Sequence, residues 1–109
     1  MQKCKNYING QWVESLSGEV IEVNNPATGK VIGEVSCAKQ EEVDMAVDAA
    51  LQAHNSRILV DMPPMERAKL MRTIASELRN VANDGGSLLC SENGKPLAGA
   101  IFEFNDAAN

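Results

Sequence analysis

One histidine, three scattered cysteines and a run of carboxylates are the side chains here that could do chemistry. His54 as a general base would need a nucleophile to activate and a third group to orient it. The sequence identifies neither, so His54 reads as a packing or boundary residue. Cys4, Cys37 and Cys90 would be nucleophiles only if something held their thiols ionised. Cys37, between a strand and a helix start, is the best placed, but an apolar filler or surface thiol is the plainer reading. Three cysteines without C-x-x-C spacing, plus one histidine, do not make a structural zinc site. Glu41, Glu42, Asp44 and Asp48 read as a solvated helix face, not an acid/base pair. Gly85-Gly86 and Gly94-Lys95-Pro96 fit neither glycine-rich phosphate motif, and Pro96 lacks an N–H to offer a phosphate. The sequence therefore assigns no catalytic and no cofactor-binding residue.

Composition narrows the classes. The 109 residues carry a net charge of −5, with lysines and arginines scattered, so the basic stripe that nucleic acid requires is missing. No apolar run approaches the ~20 residues of a membrane helix. The start, Met1-Gln2-Lys3-Cys4-Lys5, leads into polar sequence and gives no signal-peptide pattern. Reduced thiols in a cytosolic or matrix compartment are expected, with the cytoplasm as the location chosen. At 44% hydrophobic but only 4% aromatic, any core must be built from aliphatic side chains.

The elements that must position these groups fall in two blocks. Tyr7-Ile8-Asn9-Gly10-Gln11-Trp12-Val13 predicts a hairpin, with Asn-Gly as a type I′ turn. Ser17-Gly18 marks a second turn. Val20 to Val23 and Val31 to Val35 predict strands around a tight turn at Asn25-Pro26-Ala27-Thr28-Gly29. The period then changes. Val43, Ala46, Val47, Ala50, Leu51 and His54 share one face of a first helix. Asn55 to Asp61 reads as a connector. Pro63-Pro64 opens a second helix with Met71, Ile74, Ala75, Leu78, Val81 and Ala82 as its stripe. Asn83-Asp84-Gly85-Gly86 should break it, leaving a short third helix that Asn93-Gly94 ends. Pro96 starts another that runs towards Asn109 without a capping Gly, a basic cluster or a later Pro, as a helix cut short would. Strands first, then three to four helices, gives an α+β class without the alternation that builds a parallel sheet.

Four motifs occur in order. They are Tyr7-Ile8-Asn9-Gly10-Gln11-Trp12-Val13, Asn25-Pro26-Ala27-Thr28-Gly29-Lys30-Val31-Ile32-Gly33, Pro63-Pro64-x-Glu66-Arg67-Ala68 and Glu92-Asn93-Gly94-Lys95-Pro96-Leu97. Together with the Glu41-Glu42-Val43-Asp44-x-Ala46-Val47 helix, they resemble the N-terminal region of the aldehyde dehydrogenase superfamily over nearly the whole chain. The resemblance implies that residues 1–109 are an N-terminal part of that family's α/β coenzyme-binding domain. Complete members oxidise aldehydes to acids with NAD or NADP, through a thiolate nucleophile and a glutamate-activated water. Those groups and the nucleotide-binding strands map beyond position 109, so this chain alone is expected to hold no cofactor and to be inactive. Cys4, Cys37 and Cys90 do not match the family's nucleophile.

The resemblance also implies an alkali-cation site from the backbone carbonyls of Val23 and Asn24 and the carboxylate of Glu103, hard oxygens that suit such an ion. The implied partner is the remainder of an aldehyde dehydrogenase chain, with self-association through exposed apolar surface. There are departures. His54-Asn55-Ser56-Arg57-Ile58 lacks the family's usual aromatics, and Gly85-Gly86 replaces a helical Leu-Ala pair, which should shorten or loosen the third helix. Phe102-Glu103-Phe104-Asn105-Asp106 resembles the betaine-aldehyde and aminoaldehyde branch. The competing reading is a free-standing assembly or binding module from a truncated or split gene. A small enzyme using Cys37 or His54 is a third.

Overall fold

Asn9 and Gly10 take φ angles of 50° and 76°, both in the left-handed region that a type I′ turn requires. They join β2 (Asn6–Ile8) to β3 (Gln11–Val13) as an antiparallel hairpin with Tyr7 opposite Trp12. The two rings stack across the strands with centroids 4.9 Å apart and a tilt of 56°. This tilted cross-strand contact supports the hairpin although both rings remain exposed. The structure is a computed structural model and describes residues 2–109.

The chain divides into two compact units. The first comprises Met1–Asn24 and Val31–Asp61. Besides the hairpin, it holds a three-stranded sheet of β1 (Gln2–Cys4), β5 (Val31–Ser36) and β4 (Val20–Asn24), in that order. β4 runs antiparallel to β5, with an irregularity between Val23 and Asn24. β1 runs parallel to β5, pairing Gln2 with Gly33 and Cys4 with Val35. The sequence gives no sign of this pairing, and the expected order of strands before helices stands beside it. Gln2-Lys3-Cys4 is an exposed edge strand with no apolar alternation to reveal it. Gly33 lets β1 approach closely, since a Cβ there would stand 3.0 Å from the Gln2 carbonyl oxygen and push that edge strand out by a few tenths of an ångström.

Helix α1 spans Gln40–Asn55, as the change of period predicts. The face it buries overlaps the expected one only at Ala46. Val43, Val47 and Leu51 are about half exposed, whereas Glu42 is buried and Ala46 and Ala49 are half-buried. The residues expected as a connector contain a single helical turn, α2 (Ile58–Asp61). Arg57, at a φ of 59°, starts it, and its guanidinium forks onto the Asp61 carboxylate at 2.9 and 3.2 Å. Such an i,i+4 pair supports a turn that propensity alone would not.

The second unit comprises Asn25–Lys30 and Met62–Asn109. The Asn25–Gly29 turn forms as expected. The Asn25 carbonyl accepts from the Gly29 N–H at 2.8 Å, and its side chain accepts from the Ala27 N–H at 2.9 Å. Helix α3 spans Pro64–Asn80, α4 spans Ala82–Asn93 and α5 spans Leu97–Ala107. Gly94, at a φ of 78°, ends α4 in the left-handed conformation, as the Asn-Gly signal predicts. The break expected at Asn83–Gly86 falls instead at Val81, and α4 runs through both glycines. Packing is the reason. A Cβ on Gly86 would stand 2.9 Å from the backbone N and Cα of Ile101, and one on Gly85 would overlap the Phe104 ring. The cost of glycine in a helix is offset by close contact between α4 and α5.

The buried apolar residues of this unit are Ala82, Ala100 and Ala108. The last turn of α5, which the sequence leaves uncapped, is met by α3. The Arg79 guanidinium donates to the Ala108 carbonyl at 2.7 Å and to Asn109 Oδ1 at 3.1 Å. It supplies the cation that helix C-termini favour.

Candidate functional site

The sequence treats Glu42 as one of four solvated carboxylates. The structure corrects this: Glu42 is only 2% exposed. Lys39 stands at the N-cap of α1, so Glu42 is at N3 and its Oε2 accepts from the Lys39 N–H at 2.8 Å. Its Oε1 accepts from the Leu16 N–H, 26 residues away, at 2.7 Å. Beside it the Ser15 hydroxyl donates to the Cys37 carbonyl at 2.7 Å. The Leu16 and Lys39 N–H groups stabilise the ionised form and hold this carboxyl below the usual glutamate range against the opposing effect of burial. Lys39 reaches the other way, onto Glu19, and that partner raises its ammonium pKa. The signal in the sequence is the three-residue spacing from Lys39 to Glu42, half of a capping box. It is hard to see because lysine, which cannot accept, stands where serine or threonine usually does.

The other candidates do not converge. His54 lies exposed in the last turn of α1. Cys4 is exposed on β1, Cys37 is half-buried after β5, and Cys90 is half-buried on α4, all as free thiols. Among the described residues no group of three or more His, Cys, Asp and Glu is placed to hold a metal. Val23 and Asn24 end β4 in the first unit, on either side of its register shift. Glu103 lies on α5 in the second unit, where its carboxylate accepts from the Lys95 ammonium. An ion recruited to Glu103 would share the carboxylate with that ammonium or displace it.

Two open, mostly apolar clefts, of about 510 Å³ between α3 and the end of α5 and about 480 Å³ around α2, hold no cluster of catalytic side chains. In the first unit a cleft of about 190 Å³ is lined by Lys3, Cys4, Lys5, Glu14, Glu19 and Glu34. It is smaller than the ~300–1,000 Å³ of ordinary ligand pockets. Its charges also pair off, Lys3 with Glu34 at 3.5 Å and Lys5 with Glu14 at 3.1 Å. None of the described helices is long and apolar enough to cross a membrane. What the chain does present is uncovered apolar surface. Val47 and Leu51 on α1, Ile58, Leu59 and Val60 on α2, and Met71 and Ile74 on α3 are exposed.

Residues 12–109 match the family model described as "Aldehyde dehydrogenase family". A malonate-semialdehyde dehydrogenase of Geobacillus kaustophilus is 42% identical over 100 residues, covering 92% of this chain and 20% of the relative. Among solved structures, the NADP-dependent glyceraldehyde-3-phosphate dehydrogenase of Bacillus halodurans, complexed with NADP, superposes with a TM-score of 0.91 at 33% identity. The match covers 99% of this chain and 22% of that one. An NAD-dependent aldehyde dehydrogenase of Sinorhizobium meliloti gives a TM-score of 0.92 at 28% identity, over 98% and 22% of the two chains. The chain spans about a fifth of the length of the relatives it matches.

Proposed function

As the chain belongs to the aldehyde dehydrogenase family, we propose that residues 1–109 are the N-terminal part of the coenzyme-binding domain of an NAD- or NADP-dependent enzyme that oxidises an aldehyde to an acid. The observation that carries this reading is coverage: nearly all of this chain aligns, yet it accounts for about a fifth of each relative. The nicotinamide coenzyme would accept hydride in the complete enzyme. None of the residues described above is assigned to hold it. The share of the work that falls to this chain is structural.

The exposed stripes of α1, α2 and α3 support that reading. Apolar surface this extensive favours a covering partner. The partner proposed is the rest of an aldehyde dehydrogenase chain, in a cytoplasmic, oligomeric enzyme. In its absence the chain self-associates. The alkali-cation role proposed for Glu103 with the Val23 and Asn24 carbonyls puts the ion in competition with Lys95 for the Glu103 carboxylate.

Two measurements test this. The purified chain, given NAD or NADP and a panel of aldehydes, should produce no reduced coenzyme; turnover abolished by replacing Cys37 or His54 would overturn the proposal in favour of a small enzyme. Light scattering after size exclusion should give a mass above that of one chain. A clean monomer would count against a need for covering and favour a free-standing module.

A further inference from the structure

Two segments of the first unit that are distant in sequence meet at one buried carboxylate. The loop after β3 carries Ser15 and Leu16, and the start of α1 carries Lys39 and Glu42. We propose that Glu42 is an acid-sensitive latch, whose ionised carboxylate pins the Ser15–Leu16 loop to the start of α1 and whose protonation releases it.

Both carboxylate oxygens are used. Oε1 accepts from the Leu16 N–H and Oε2 from the Lys39 N–H, at 2.7 and 2.8 Å. A protonated carboxyl turns one of those oxygens into a donor facing an N–H, so one bond must break. The group is almost fully buried, so neither water nor rotation into solvent replaces the lost acceptor without opening the loop. The Ser15 hydroxyl closes the same contact through the Cys37 carbonyl, so loop and connection move together.

The surrounding charges do not substitute for it. The Lys39 ammonium is occupied by Glu19, and Glu14 on the loop is paired with Lys5. The Cys37 thiol lies on the β5–α1 connection, and Glu41 is exposed on the outer side of α1. The sign follows from the depressed value. Stability from the latch is fully present above the ordinary glutamate pKa of about 4.3 and is lost as pH falls through the lower folded-state value.

The test is a pH titration of the full 109-residue chain by amide NMR, with hydrogen exchange on the same sample. The amide protons of Leu16 and Lys39 should move together on one midpoint below the ordinary glutamate range. Protection of Leu16 should fall by about tenfold or more through that midpoint, while β4–β5 amides such as Ile21 keep theirs. Glu42→Gln should lose Leu16 or Lys39 protection at neutral pH. Independent titration of the two amides, or a Leu16 that stays protected in acid, overturns the latch. Should Glu42→Gln fail to fold, the titration of the parent chain decides alone.

Discussion

Gly86 and Gly99 both lie inside helices, and replacing each with alanine should change stability in opposite directions. Gly86 sits on α4 against α5, where an added Cβ would fall 2.6 Å from Ile101 Cγ1 and 2.9 Å from the Ile101 N and Cα atoms. Ordinary contact begins at 3.4 Å, about half an ångström further out. Two of those atoms are helix backbone, so relief means moving α5 and not turning a side chain. Overpacking of this kind costs roughly 1–3 kcal/mol, against about 1 kcal/mol of helix propensity gained by Gly→Ala. Gly86→Ala should therefore lose about 1 kcal/mol net. At Gly99 nothing lies within 4 Å of the added Cβ. Gly99→Ala should gain about 0.5–1 kcal/mol. In a domain of this size 1 kcal/mol moves the thermal midpoint by roughly 4–8 °C. Helical melting by circular dichroism should thus place the two variants on opposite sides of the parent. If Gly86→Ala is stabilised as much as Gly99→Ala, the close α4–α5 contact does not exist, and the glycine pair needs another explanation.

Three further outcomes follow from single contacts. Gly94→Ala should cost about 1–2 kcal/mol in chemical denaturation, because the residue holds a φ of 78° with Pro26 beside it. Arg79→Met should loosen the end of α5 by about 1 kcal/mol, read as faster exchange of the Ala108 and Asn109 amides, since their last turn loses its cationic cap. Lys95→Met frees the Glu103 carboxylate. If Glu103 serves a cation, the melting midpoint of this variant should respond to potassium or sodium at constant ionic strength more than that of the parent. An equal response argues against that role.

Much of the fold is legible in the sequence, where local chemistry decides the outcome. Asn9-Gly10, the Asn25–Gly29 turn, Pro64 and Gly94 each impose a backbone geometry by themselves, and each lies where the sequence places it. What long-range contact decides is not legible. β1 has no apolar period, and its pairing with β5 beside Gly33 is a long-range contact. The α4 glycines read as a break because propensity counts against them, yet α5 holds them in a helix. The apolar face of α1 is real in sequence but mostly uncovered here, and the buried position next to it belongs to a carboxylate. The role of Glu42 is hidden because hydropathy assigns glutamate to solvent, while one of its two backbone donors comes from a segment that only the fold brings near. Of the cation residues, the motif locates Glu103 on α5, but nothing in the sequence indicates that Lys95 already holds it.

Under the proposed function this chain would supply structure to an aldehyde dehydrogenase and none of its chemistry. Complementation tests it most directly. A relative such as the Geobacillus kaustophilus enzyme would be produced without the segment matched here, then combined with this chain and assayed for coenzyme-dependent aldehyde oxidation. The expected result is no activity from either piece alone and measurable activity from the two together, in one co-purifying complex. Activity of this chain by itself, or no complex and no activity in the mixture, would contradict it.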